Sequence, residues 1–136
     1  LVPYTQKQMY ALVDRVDQYS EFVPWCVKSE ELSRTEDDVC GKLTFASSGI
    51  EKSFSTMNRL QPHKMIELRL VDGPFRQLEG FWMFEAISDH ESRVVLDLEF
   101  EFSNRILAMM FGPVFEQVAS TLVSAFTKRA AEVYGH

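Results

Sequence analysis

The feature that most constrains the fold is a long C-terminal run, residues 104–134, that is predicted to form an α-helix. Apolar residues recur along it at steps of three, four and seven: Phe115, Val118, Leu122, Ala125, Phe126 and Val133. This spacing places an apolar stripe along one helix face. Asn104 is a suitable N-cap, and Gly135 is a suitable stop. A helix this long needs a large apolar surface to pack against, so the rest of the chain has to supply one.

One dipeptide, Gly112-Pro113, interrupts this run. Proline has no N–H group, and its ring clashes with the carbonyl of the residue four positions earlier, here Met109. We therefore predict either a kink at Pro113 or two abutting helices.

The chain before residue 104 predicts short helices followed by an antiparallel sheet. Thr5 and Gln8 have the spacing of a capping box, and the helix they begin is predicted to end near Asp17. A second short helix is predicted over residues 19–23. Apolar and polar residues then alternate in strands over residues 39–45, 50–60, 66–70, 78–84 and 94–102. Turn-sized connections favour an antiparallel meander with one face in water and one covered by the C-terminal helix.

Composition limits the classes of protein that the chain can represent. Its 136 residues are 46% hydrophobic, which predicts one α+β domain over residues 1–136. No uninterrupted apolar run approaches the roughly 20 residues of a membrane span, and no signal peptide opens the chain. The two cysteines lack metal-type spacing, which favours a reducing cytoplasm. The net charge of -6 argues against unspecific binding to DNA or anionic lipid.

The usual catalytic and metal-binding patterns are missing from the sequence. His63 and His90 lie beside turns, His136 is the last residue, and none has ligands at metal spacing. Ser47-Ser48-Gly49 is predicted to be a hairpin turn, without a nucleophile elbow. Asp97, Glu99 and Glu101 point to one side of a strand, which is typical of a solvated sheet face. We therefore predict no catalytic residue and no metal site.

Three further features permit a structural and a functional interpretation. Lys52 falls on the apolar side of its strand, which indicates a bulge after Gly49, a side chain that reaches the sheet edge, or an inward lysine that meets the polar head of a ligand. The segment around Asp72-Gly73-Pro74 is a tight turn, and it would also suit a loop that gates a cavity with Phe75. Phe81 and Met83 interrupt the polar sheet face, which is consistent with a partner surface.

Several sequence blocks together resemble one known family over essentially the whole chain. They are LVPYT (1–5), YSEFVPWC (19–26), LVDGPF (70–75), GFW (80–82) and LEFEF (98–102), followed by Ala125, Phe126 and Ala130. The chain is similar to the coenzyme Q-binding, START-like family of the polyketide cyclase and lipid-transport superfamily, whose bacterial branch includes the ribosome-association toxin. Relative to that family, the opening of the first strand is absent.

The resemblance implies a helix-grip fold (START-like, Bet v 1-like), in which a curved antiparallel sheet wraps around the long C-terminal helix and leaves a tunnel. A dry void of about 500 Å³ would cost on the order of 10 kcal/mol, so we expect the tunnel to be collapsed, wet or filled by an apolar ligand. Met109, Met110 and Phe111 suit an adaptable entrance. The predicted tunnel lining is Phe45, Phe54, Leu68, Leu70, Phe75, Trp82, Phe84, Leu98, Phe100, Met109, Phe115, Val118, Leu122 and Phe126.

The family carries more than one function, and the first hypothesis is a non-enzymatic cytoplasmic binder of ubiquinone or a similar isoprenoid lipid that supports respiration, with no other cofactor. The alternative is a ribosome-association toxin that binds the large ribosomal subunit and blocks subunit joining. The positive charges are dispersed, apart from a small cluster of Arg59, His63 and Lys64 with Arg76 beyond it. An aromatase/cyclase-type enzyme is the third reading, and it lacks an inward acid or base.

Overall fold

A computed structural model describes residues 1–47 and 49–135 and contains two α-helices, one 3-10 helix and a six-stranded sheet. The helices are α1 (Gln6–Asp14), the 3-10 helix (Val16–Glu21) and α2 (Arg105–Tyr134). The strands are β1 (Cys26–Arg34), β2 (Asp38–Ser47), β3 (Ile50–Gln61), β4 (Met65–Asp72), β5 (Phe75–Ala86) and β6 (Ser92–Phe102). Two predicted features, the residue Ser48 of the hairpin turn and His136, lie outside the described residues.

The predicted capping box at the start of α1 is confirmed. The Thr5 hydroxyl oxygen accepts a hydrogen bond from the Gln8 N–H at 3.1 Å, and the Gln8 side chain accepts one from the Thr5 N–H at 2.9 Å. The helix ends at Asp14, three residues before the predicted end. The second predicted helix is the 3-10 helix, which begins at Val16.

The sheet is the predicted antiparallel meander, with strand order β1-β2-β3-β4-β5-β6. Its inner face carries the apolar side chains, and its outer face exposes residues such as Glu67, Arg69 and Glu79. The strand β1 was not predicted individually. Of its nine residues only Cys26 is buried, so this edge strand has no apolar side for a periodicity argument to detect.

The helix α2 begins and ends where the sequence predicts. The Asn104 side-chain oxygen accepts a hydrogen bond from the Leu107 N–H at 2.9 Å. The Gly135 N–H donates to the Ala131 carbonyl, and Gly135 has the positive φ of 88° that favours glycine. The buried face consists of Phe111, Phe115, Val118, Phe126 and Ala130.

The prediction that Val133 belongs to the apolar stripe is wrong, because its side chain is 51% exposed. The last turn of α2 instead contacts the N-terminal segment of the chain. The Tyr134 hydroxyl donates to the Gln8 carbonyl at 2.9 Å, and the Tyr4 hydroxyl donates to the Gly135 carbonyl at 3.0 Å. These bonds hold the face of α2 that carries Tyr134 against the N-terminal segment, and the neighbouring Val133 side chain faces solvent.

The helix is continuous through Pro113, so the prediction of two abutting helices is wrong. Pro113 is exposed, and so is Met109, whose carbonyl loses its helical partner at this position. Water can satisfy that carbonyl on the exposed side of the helix, which explains why the proline is tolerated there.

By length and composition alone, α2 would also be able to cross a membrane. One such helix is weak evidence, because the mostly buried core helix of a soluble protein meets the same criterion; here 17% of the apolar 18-residue stretch is buried. Here Phe115, Val118 and Phe126 are buried in the core between helix and sheet. Since that face is already covered by protein, we interpret α2 as the core helix of the sheet.

We expect Pro113→Ala to raise the free energy of unfolding by about 1–2 kcal/mol, because the restored N–H can donate to the Met109 carbonyl. This gain outweighs the opposing effect of the larger entropy of the unfolded chain. Chemical denaturation measures this change. Glu116→Ala, one turn away and exposed, is the matched control and should change stability by less than about 0.5 kcal/mol. A Pro113→Ala variant of unchanged or lower stability would contradict this account of the missing hydrogen bond.

Candidate functional site

A cavity of about 80 Å³ lies between the inner face of the sheet and α2. This volume is small beside the roughly 300–1,000 Å³ of typical ligand pockets. At about 24 cal/mol per Å³, a void of this size costs on the order of 2 kcal/mol, which a folded domain tolerates. The interior is therefore largely collapsed onto its own side chains, which is one of the three outcomes expected from the sequence.

The predicted tunnel residues divide into two groups in the structure. Eight lie on the cavity wall: Phe45, Phe54, Leu68, Trp82, Leu98, Phe115, Val118 and Leu122. Six lie away from it: Leu70, Phe75, Phe84, Phe100, Met109 and Phe126. All of the second group except Met109 pack in or against the core. That the fourteen predicted residues bind a ligand stays a prediction.

The predicted entrance residues at the start of α2 do not share one environment. Met109 is 78% exposed and Met110 is 42% exposed, whereas Phe111 is buried. Ile106, one turn earlier, is also exposed. The first turns of α2 therefore present apolar side chains to solvent rather than to the cavity.

A cluster of phenylalanine rings closes the cavity at one end. Its members are Phe45, Phe54, Phe75, Phe100, Phe102 and Phe115. Phe115 on α2 meets Phe100 edge to face, with ring centroids 4.7 Å apart, and Phe75 stacks on Phe102 at 4.8 Å. Such geometry adds about 0.5–1.5 kcal/mol per pair beyond area burial. Phe75 is therefore packed in the core in this structure, and its role as a gate of the cavity stays a prediction.

A second aromatic cluster fills the other end. Phe126 of α2 contacts Trp82, Tyr19 and Phe22 through ring centroids 5.1, 5.2 and 4.9 Å away. Arg129 lies over the Phe22 ring and pairs with Glu21 at 2.7 Å, which fixes the 3-10 helix to α2. The cavity is the space that these two clusters leave between them.

Three polar side chains lie on the cavity wall, from Tyr19, Thr56 and Asn58. The Tyr19 hydroxyl donates to the Val13 carbonyl, and burial raises the pKa of that hydroxyl above its ordinary value. The Thr56 hydroxyl donates to the Asn58 side-chain oxygen at 2.7 Å. Asn58 was not among the predicted site residues, although it has the same strand parity as Phe54 and Leu60. Counting every second residue of β3 would have found it.

Lys52 has the inward strand parity that the sequence indicates, since it pairs with Phe45 of the inner face. The pairing of β2 with β3 runs without a register shift, so no bulge displaces the lysine. Its side chain is nevertheless exposed. The interpretation of a side chain that reaches the sheet edge therefore fits the structure, and Lys52 is absent from the cavity wall.

A broad groove of about 1,220 Å³ crosses the outer face of the sheet, and we call it the outer groove. Six carboxylates line it, from Asp37, Asp38, Glu67, Glu79, Asp97 and Glu99, against the two guanidinium groups of Arg59 and Arg69. Apolar contact surface comes from Met57, Met65 and Phe81. The groove is thus acidic, with apolar side chains among the charges.

Comparison with known proteins identifies relatives along the full chain. The family model described as polyketide cyclase / dehydrase and lipid transport matches residues 2–127. Ribosome association toxin RatA of Escherichia coli (strain K12) is 42% identical over 134 residues, which cover 98% of this chain and 85% of that protein. The mitochondrial coenzyme Q-binding protein coq10 of Schizosaccharomyces pombe is 29% identical over 135 residues, which cover 96% of this chain and 82% of that protein.

Among solved structures, the Zhui aromatase/cyclase from Streptomyces sp. R1128 superposes with a TM-score of 0.82 at 16% identity, covering 95% of this chain and 88% of that one. At this identity the likeness concerns the fold alone. It confirms the predicted helix-grip architecture, with a curved antiparallel sheet around a long C-terminal helix.

The two tryptophans allow a test of how far packing around the cavity supports the fold. Trp82 is 2% exposed between Phe84 and Phe126, whereas Trp25 is 38% exposed. We expect Trp82→Ala to lower the free energy of unfolding by about 3–5 kcal/mol. Trp25→Ala should lower it by less than about 1 kcal/mol. Equal losses in urea denaturation would contradict the packing described for the second aromatic cluster.

Proposed function

The chain belongs to the polyketide cyclase / dehydrase and lipid transport family, and we propose that it is a non-enzymatic protein that associates with the ribosome. In this proposal it acts in the cytoplasm, binds the large ribosomal subunit and hinders joining of the small one. This was the alternative hypothesis from the sequence, and it now takes precedence over quinone binding.

The observation that carries the proposal is the 42% identity to the ribosome association toxin RatA over 98% of this chain. We infer from identity at that level over nearly the whole chain that a partner surface is shared as well as the fold. The coenzyme Q-binding relative is more distant, at 29% identity. The small cavity also favours a function that does not require a large internal ligand.

The cavity wall supports a binding function over catalysis. Its polar side chains are those of Tyr19, Thr56 and Asn58. General acid–base catalysis is most efficient with a group whose pKa lies near the working pH. A hydroxyl of threonine and an amide do not titrate in that range, and burial moves the pKa of Tyr19 further above it.

The outer groove supplies a surface of suitable chemistry for the ribosomal contact. Its carboxylates repel the phosphates of ribosomal RNA and attract the Lys- and Arg-rich segments of ribosomal proteins. Met57, which is 39% exposed, and the half-buried Phe81 add side chains of types enriched at interfaces. We therefore place the contact on this face, with a basic ribosomal-protein segment as its partner.

The test is a subunit-joining assay with the purified protein. We expect increasing amounts to reduce the 70S peak in a sucrose gradient and to leave the protein in the large-subunit fractions. The double variant Glu79→Lys/Glu99→Lys places two positive charges in the outer groove, and like-charge repulsion should raise the amount needed by about tenfold or more.

The matched control is Glu116→Lys/Glu132→Lys, which makes the same change of charge at exposed positions of α2. This variant should act like the wild type. A 70S peak that persists at saturating wild-type protein would overturn the proposed function. If both double variants lose the effect on the 70S peak equally, the protein still associates with the ribosome, but the contact does not lie in the outer groove.

Ligand binding in the cavity is the second candidate function, and two observations favour it. The wall of the cavity is almost wholly apolar, and the coenzyme Q-binding relative is aligned over 96% of this chain. A quinone with an isoprenoid chain exceeds about 80 Å³, so its binding would require α2 to move away from the sheet. The exposed first turns of α2, which bury no side chain before Phe111, are the part least held to the core.

Mass spectrometry of an organic extract, from protein purified from its own host, tests this second function. We expect a quinone-like lipid in the wild type, and Leu122→Arg should lower its amount by about tenfold or more, because the variant places a charge on an apolar wall. Arg59→Ala, in the outer groove, should retain the lipid. An extract without lipid would count against the function, and the reverse order of the variants would indicate recognition at the outer surface.

A further inference from the structure

Asn58 is a polar residue in an apolar environment. It lies on β3, where its neighbours across the sheet are Val39 of β2 and Leu68 of β4. Its side chain is 5% exposed, and it forms part of the cavity wall. A buried carboxamide costs free energy unless its hydrogen-bonding groups find partners, so its presence here requires an explanation.

The hydrogen bonds of Asn58 are only half satisfied by the protein. Its side-chain oxygen accepts from the Thr56 hydroxyl at 2.7 Å, which fixes the orientation of the carboxamide. Within residues 1–47 and 49–135, its side-chain N–H groups have no hydrogen-bond partner. The Thr56 bond therefore holds the carboxamide and leaves its N–H groups available to donate, on a side chain that lines the cavity.

The other hydroxyl on the wall does not compete for this role. The Tyr19 hydroxyl already donates its proton to the Val13 carbonyl. The remaining wall is formed by side chains such as Leu98, Val118 and Leu122. A molecule in this space would thus find apolar contacts on most sides and one free donor, the Asn58 amide.

From this arrangement we propose that the cavity binds a small apolar group that bears a carbonyl oxygen, and that the Asn58 amide donates to that oxygen. The inference rests on the second candidate function, ligand binding in the cavity. It adds the chemical class of the ligand portion that is recognised and the residue that selects it. The volume of about 80 Å³ limits this portion to roughly one small ring.

Two probes of nearly identical shape test the proposal. Cyclohexanone carries a carbonyl oxygen where methylenecyclohexane carries a CH₂ group. Titration of ¹⁵N-labelled wild-type protein with each probe, followed by NMR, gives both affinities. We expect both to bind, and the side-chain amide signals of Asn58 should shift with cyclohexanone but not with methylenecyclohexane.

The variant Asn58→Leu keeps the approximate volume and removes the donor. The ratio of the cyclohexanone affinity to the methylenecyclohexane affinity should fall by about three- to tenfold, the range for one neutral hydrogen bond. Gln61→Leu is the matched control, since Gln61 is an exposed amide on the same strand, away from the cavity wall. That control should keep the wild-type ratio. If Asn58→Leu fails to fold, the wild-type amide signals decide the question alone.

The outcomes separate this inference from the function on which it rests. If both probes bind but Asn58→Leu leaves the affinity ratio unchanged, the role of Asn58 is overturned and an apolar ligand cavity remains. The same follows if cyclohexanone does not shift the Asn58 amide signals. Failure of both probes to bind would overturn the cavity function together with the inference. A ratio that falls equally in Gln61→Leu would also overturn it, because the effect would not be specific to the cavity.

Discussion

The structure depends on the contact between the aromatic side chains of the sheet and one face of α2. Phe115 contacts rings of four strands, whereas Phe126 contacts Trp82 of β5 and Tyr19 of the 3-10 helix. Burial of apolar area contributes about 25 cal/mol per Å², so rings of this size supply a large share of the folding free energy. Without α2, the inner sheet face would be an exposed apolar surface.

The strongly periodic parts of the fold were predictable from the sequence. The N-cap at Asn104, the capping box at Thr5 and the antiparallel meander follow from local chemistry and from repeating apolar positions. The edge strand β1 was not, because a strand exposed on nearly all positions shows no apolar alternation. The continuous path of α2 through Pro113 goes with the exposure of Pro113 and Met109, which is a tertiary property.

The candidate site was predictable only in part. Strand parity identified Phe54, Trp82 and Leu98 as inward residues, but it cannot tell a wall residue from one packed behind the wall. Phe75 and Phe126 were predicted to line the tunnel; in this structure they are buried in the core beside the cavity wall, and their contact with a ligand stays a prediction. The cavity volume depends on the orientations of the aromatic rings, which the periodicity of the sequence does not predict. Asn58 shows the opposite limit, since its inward parity is visible in the sequence, but its uncharged amide is neither an acid nor a base.

The covering helix follows all six strands in the chain, and this order has a consequence for biosynthesis. During translation the sheet segments leave the ribosome before residues 105–134. The apolar inner face of the sheet therefore has no packing partner until α2 emerges. The nascent protein is therefore most exposed to aggregation until α2 has emerged. A chaperone would be needed most in that interval, and slow codons placed late in the message would lengthen it.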